Sequence, residues 1–353
     1  MKRLALGLTI WFAAELCGMG AYSNEWVRMK GITPQGYLCQ RAATPLTIDG
    51  RMDEVAWRTA PWTVDFADIE GAGKPAPRFR TRAKMLWDDT YFYVAAELEE
   101  PHVWGTLTNH DAVIFQDPDF EIFIDPNGDN HEYYEIELNA LNTEWDLRLR
   151  KPYKDGGPAL NEWEIPGLRS GVWVKGTLND PHDVDEGWTV EIAFPWAALG
   201  SFAGCSCPPA TGDQWRVNFS RVEWQIRVVE GKYVKTPKTP EDNWVWSPTG
   251  IVDMHRPERW GLVQFTRETS VGKGFKSDPS MPARDWLMEV YYAQRSFFAQ
   301  NKHWAGSLDE LGLTAKEGNP STTIRLTPEG YEASAKAAGG TTWRIRQDSL
   351  LSE

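Results

Sequence analysis

The chain has 353 residues, 41% of them hydrophobic, enough for one large domain and a smaller one. Its formal net charge of -13 excludes nucleic acid or an anionic membrane surface as the main partner, because phosphate binding needs clustered Lys and Arg. Trp is abundant, at 19 residues, and beyond filling core its flat faces stack on sugar C–H groups.

The chain starts with Lys2 and Arg3, continues with an apolar run over 4–14, and then places small residues, Ala21 and Ser23, at -3 and -1 positions. This pattern predicts a secretory signal peptide over 1–23, since the apolar run is too short to span a membrane. The expected product is secreted, periplasmic or cell-surface associated, with no membrane insertion after cleavage. Residues 24–37 read as an extended leader. Cys39, Cys205 and Cys207 then remain, and an oxidising compartment predicts a disulfide from Cys39 to one of the close pair. A metal site on Cys205 and Cys207 is the weaker reading, because one intervening residue is too few for common zinc motifs.

From about residue 42 to 265 strand follows strand. A hairpin is expected around Asp88 and Asp89, further strands over 171–178 and 187–194, and one helical turn from Pro195. Residues 214–229 read as one long strand or two. Many short strands separated by turn signals predict a mainly β protein, a β-sandwich of antiparallel sheets over 38–266. Residues 267–282 lack periodicity and read as a linker. Residues 283–353 predict a small α+β unit: Trp286, Val290, Ala293 and Phe297 stripe one helix, and two or three short strands follow.

The stretch 119–150 is the most informative, because its residues alternate with the period of a β-strand. Phe120, Ile122 and Ile124 share one face, as do Tyr134, Ile136 and Leu138, and Trp145, Leu147 and Leu149. Stacked together, the three runs predict one apolar face and one face of Glu, Asn, Tyr and Arg, the kind of surface that reads sugar hydroxyls. Glu121, Glu137, Asn139 and Arg148 come from that polar face. Arg221 and Glu223 fit either ligand contact or a structural Glu–Arg network, and the network reading applies to the other four as well.

Several pieces, in order, resemble carbohydrate-binding module family 9 of exported bacterial proteins. They are PLTIDGRMDEVAW (45–57), KMLWDDTYFYVAAE (84–97), DFEIFIDPNGD (119–129), GWTVEIAFPWAAL (187–199), WRVNFSRVEW (215–224) and WVWSPTGIVDMHRPERWGLVQF (244–265). The resemblance implies a β-sandwich, binding of polysaccharide or oligosaccharide, and structural calcium. Members are often attached to xylanases or other glycoside hydrolases.

In that family the sugar is gripped between aromatic rings. Trp104 would supply one wall, and Trp244 or Trp246 the other. Each could equally pack against its own loop. Asp125, Asn127 and Asp129 offer three oxygen side chains at alternate positions, a calcium candidate. An EF-hand is excluded by Asn130 and Ile136 at the positions of its Gly and closing Glu, and a plain Asx turn explains the same residues. Asp49 and Asp53 are further calcium candidates. Motifs for a serine hydrolase, a zinc peptidase or a phosphate loop are missing from the sequence. The leading expectation is a secreted carbohydrate-binding protein. A glycoside hydrolase or its accessory subunit is an alternative, as is a cell-surface scaffold with a protein partner on 283–353.

Overall fold

The alternating runs become strands, and the strands join edge to edge. The computed structural model describes residues 21–267, 274–313 and 319–353. The expected signal peptide lies mostly outside them, as do residues 268–273 of the expected linker. Among the described residues, thirteen strands form one sheet. Along it the order is Ala159–Leu160, Glu144–Leu149, Tyr133–Asn139, Asp119–Asp125, Gln214–Glu223, Gly261–Thr266, Gly36–Arg41, Thr81–Trp87, Tyr91–Glu99, Gly187–Pro195 and Arg169–Lys175. Asp242–Val245 branches off Gln214–Glu223 and carries Ala67–Asp68. Gly36–Arg41 runs parallel to both of its neighbours, so the sheet is mixed where the sequence predicts antiparallel sheets.

The sheet curls until its two ends face each other across one core, which gives a sandwich-like body. Phe120, Ile122, Ile124, Tyr134, Ile136 and Leu138 from one end meet Val94, Ala96, Val190 and Ile192 from the other. Phe66 closes the stack, 6.4 Å from both Phe120 and Phe219 between ring centroids. Burying these side chains supplies the main driving force, about 1.5–3 kcal/mol for each large one.

One register differs from the sequence expectation. Tyr133 lies opposite Leu149, Glu135 opposite Leu147 and Glu137 opposite Trp145. Trp145, Leu147 and Leu149 therefore share the face of the glutamates, and Arg148 points to the opposite, inner side. The outer face is not bare: Phe123, Tyr133, Leu147, Leu149, Met254 and Trp260 form a second apolar cluster on it.

The expected extended leader is instead a helix, Ala21–Lys30, beginning inside the expected cleavage region. Its Trp26 stacks on Tyr292 at 5.5 Å, and its Met29 is fully buried. Tyr292 belongs to the helix Met281–Asn301, which also covers the four-stranded antiparallel sheet of Thr322–Thr327, Gly330–Lys336, Thr342–Arg346 and Leu351–Ser352. The disulfide expectation is corrected too. Cys39, Cys205 and Cys207 are free thiols, and Cys39 is sealed in the main core.

Candidate functional site

Period-two alternation and the cross-strand register bring four carboxylates onto one patch of the outer face. Glu121 lies directly opposite Glu137, and Asp119 opposite Asn139. Glu135 is two residues from Glu137 on the same side of its strand. Ligand oxygens of Asp119, Glu121 and Glu137 lie within 4.8 Å of one another. All four acids are buried, Glu121 the least at 6% exposure. Asp119 Oδ2 and Glu135 Oε2 receive no hydrogen bond from the protein.

Such crowding favours protonation. Burial raises Glu121 to about 7. Burial first, and then the neighbouring Glu121 charge, hold Asp119, Glu135 and Glu137 well above the usual carboxylate range. The crowding thus favours the acid form on this patch. The acid form donates a hydrogen bond and the carboxylate accepts one, which suits a hydroxyl that does both.

Partly exposed rings surround this patch. Trp145 is the cross-strand neighbour of Glu137. Phe115 sends its backbone N–H to Glu137 Oε2 at 2.9 Å, and its carbonyl accepts the indole N–H of Trp224 at 3.0 Å. Lys235 Nζ lies 3.3 Å from the centre of the Trp224 ring. Tyr153, 45% exposed, feels the charges of Glu135 and Glu137 and sits edge-on to His255 at 4.5 Å. Acids and rings together make a surface that can hydrogen-bond and stack at once.

Of the residues expected to contact sugar, only Glu121 and Glu137 lie at this patch with unassigned bonding capacity. Asn139 is consumed by its own loop: its Nδ2 donates to Leu107 O and Asp117 Oδ2, and its Oδ1 accepts from Leu141 and Thr143. Arg148 pairs with Glu132 and covers the Phe202 ring. Arg221 is 1% exposed and bonds Glu100 at 2.6 Å and Glu223 at 2.7 Å, which is the structural network. Trp104, Trp244 and Trp246 are also corrected as walls. They are 5%, 3% and 2% exposed, and Trp244 and Trp246 belong to the main core. The sequence reading missed Phe115, Tyr153 and Trp224, and it put Trp145 on the wrong face. The available signal was the position of Trp224 immediately after a strand of alternating residues, where the chain leaves the sheet.

Asp125, Asn127 and Asp129 form a chain of Asx-type turns. Asp125 accepts from Gly128 and Asn130 N–H, Asn127 from Asp129, and Asp129 from His131. Gly128 has a φ of +66°, and a Cβ there would meet Arg284 Nη2 at 2.6 Å. Arg284 bonds the Gly128 carbonyl. The turn oxygens thus serve backbone N–H groups, and the Arg284 and Arg216 guanidinium groups sit near Asp125. This donor set does not fit a calcium ligand cage. The turn instead docks the C-terminal strands, since Leu351 N–H donates to Asp129 O at 3.0 Å and Asn130 Nδ2 to Ser349 O at 2.9 Å.

Comparison with known proteins gives this geometry a context. Residues 48–218 match the family model described as carbohydrate family 9 binding domain-like. Exoglucanase XynX of Acetivibrio thermocellus is 25% identical over 156 residues, 44% of this chain and 12% of that protein. Endo-1,4-beta-xylanase A of Thermoanaerobacterium saccharolyticum is 24% identical over 156 residues, 44% of this chain and 11% of that enzyme. The match thus covers about a tenth of those relatives' length. A carbohydrate binding module family 9 from Caldicellulosiruptor kristjanssonii, solved with cellotriose, aligns with a TM-score of 0.44 and 16% identity over 69% of this chain and 100% of that one. Over residues 48–218, this chain is similar to the carbohydrate family 9 binding domain-like proteins.

Proposed function

We propose that this protein binds carbohydrate on the outer face of the sheet, over Glu121, Glu135 and Glu137, with Phe115, Trp145, Tyr153 and Trp224 as stacking rings. One observation carries the reading: closely spaced, buried carboxyls lie beside partly exposed aromatic rings on one sheet. Sugar rings offer apolar C–H faces to the aromatics and hydroxyls to the acids. The family match over residues 48–218 supports carbohydrate as the ligand class. The names of the matched enzymes point to β-1,4-linked glucan or xylan. The basic and apolar start of the sequence fits an exported protein that meets such polymers outside the cytoplasm.

The test is calorimetric titration of the purified protein with xylan and cello-oligosaccharides, repeated on two tryptophan variants. Trp224→Ala is expected to weaken binding roughly tenfold, the equivalent of about 1.4 kcal/mol, with little change in Tm. Trp244→Ala is expected to cost about 3–5 kcal/mol of stability, as loss of a core ring does. Full binding by Trp224→Ala and Glu121→Gln together would remove this face from the site.

A further inference from the structure

A second cluster lies away from the patch, where three chain segments converge at the outer end of the sheet. His110 and Asp111 come from the loop before the short helical turn Ile114–Gln116, Asp146 from the strand Glu144–Leu149, and Glu164 from the loop before Ile165. One ligand atom from each of the four lies within 4.8 Å of all the others. His110 Nε2 stands 3.0 Å from Glu164 Oε2, 3.5 Å from Asp111 Oδ1 and 3.8 Å from Asp146 Oδ1. Four donors held tetrahedrally at zinc-like bond lengths are roughly 3.4 Å apart. The observed spacings bracket that value.

An independent feature points to a ligand. Asp146 is only 2% exposed, and its Oδ1 receives no hydrogen bond. Its other oxygen is used, accepting the N–H of Ile165. Burying a carboxylate oxygen without a donor is costly, and a cation would remove the cost. The far side of the imidazole is arranged as well. His110 Nδ1 faces Glu144 Oε1 at 4.0 Å, and Glu144 is itself bonded by Ser170 Oγ at 3.3 Å. The Glu144 charge on that side favours the proton on Nδ1, and an ion taking up Glu164, which now pairs with Nε2 at 3.0 Å, would use the Nε2 lone pair.

We infer that His110, Asp111, Asp146 and Glu164 form a binding site for a divalent first-row transition metal, zinc being the representative ion. One imidazole and three carboxylates suit such an ion, whereas calcium takes oxygen ligands only. Three carboxylates around one imidazole leave a negative centre, which a divalent cation offsets. The bound ion would tie the 105–113 loop to the edge of the sheet. This inference does not depend on the sugar reading.

The experiment uses the full chain stripped with chelator and titrated with zinc in competition with a chromophoric chelator. Cobalt titration then reads the visible d–d absorption of the site. One saturable equivalent is expected, with a cobalt spectrum of tetrahedral intensity. His110→Ala and Glu164→Gln should each weaken zinc binding at least tenfold and abolish that spectrum. Both side chains are exposed, so unchanged Tm of the metal-free variants is expected and shows that they fold. Asp146→Asn gives a third, independent reading from the buried side. Zinc affinity unchanged in all three variants would overturn the assignment, as would the absence of saturable zinc binding or a preference for calcium over zinc.

Discussion

At the residue scale the decisive group is Glu121. Its carboxyl is buried beside Asp119, Glu135 and Glu137, and burial raises it to about 7. Above that pH it is a charge held among other acids at a cost to folding. Glu121→Gln keeps the shape and removes the charge. At pH 8 the variant is expected to melt a few degrees higher than the native protein. It should also lose sugar affinity roughly tenfold or more, because a hydrogen bond to a charged acceptor contributes about 1.5–3 kcal/mol. Melting curves and titration on one sample check both halves. A lower Tm with intact binding would show Glu121 to be an ordinary structural acid. The sequence reveals this residue because DFEIFID alternates cleanly. It cannot say which of 19 Trp reach the surface. Trp244 and Trp224 sit in similar polar–aromatic contexts, and only tertiary packing buries the first and leaves the second partly open.

At the scale of elements, turn geometry explains what the sequence leaves open. The run EWDLRL has an apolar side and a polar side whichever way it faces. The turn after Asn139 sets the register: Asn139 N–H donates to Thr143 O and Asn142 N–H to Asn139 O. A shift of one residue would exchange the faces. The main strands and the long helix were legible because their periods are strong, and the leading helix was not, because its buried Trp26 needs a partner almost the whole chain away. That helix and the C-terminal unit are bound to the sandwich by buried polar contacts. Lys154 Nζ lies 2.6 Å from Glu258 Oε1, which also accepts the Tyr292 hydroxyl at 2.5 Å. Glu258 is fully buried and keeps its charge, held below the usual range by Lys154 and Arg256 against burial. Deleting residues 283–353 would strip Tyr292 from Glu258, remove Arg295 from the buried side chain of Asp155, with which it pairs at 3.0 Å, and uncover Trp26. Such a truncation is therefore expected to melt well below the full chain, because breaking a buried ion network costs about 3–5 kcal/mol. A truncated protein with the Tm of the full chain would show instead that the C-terminal unit is an independent domain.

For the whole molecule, the balance of buried acids sets how stability depends on pH. Burial raises Glu121, Glu191 and Asp125 to about 7 each, Asp146 to about 6 and Glu100 to about 9. A carboxyl raised on folding binds its proton more tightly in the native state. Its stabilising contribution is complete below its unfolded value, near 4, and is lost as pH rises through the folded value. These groups therefore weaken the fold progressively between about pH 4 and 9. His255 acts in the opposite direction. Burial beside Tyr133 lowers it from 6.5 to about 4, so its contribution is complete above 6.5 and is lost as pH falls toward 4. His255 and the low-lying Glu258 are outweighed by these five acids together with Asp119, Glu135 and Glu137, which are raised as well. Tm should accordingly peak between about pH 4.5 and 6.5 and fall continuously to pH 9. The patch that destabilises the alkaline fold is also the proposed sugar-binding face, so stability and sugar affinity should respond to pH through shared groups. Scanning calorimetry at pH 5, 7 and 9 on metal-stripped protein measures the slope. A Tm that climbs from pH 5 to 9 would mean that the outer-face acids are ionised in the folded protein, and the mixed donor–acceptor character of the patch would fall with it.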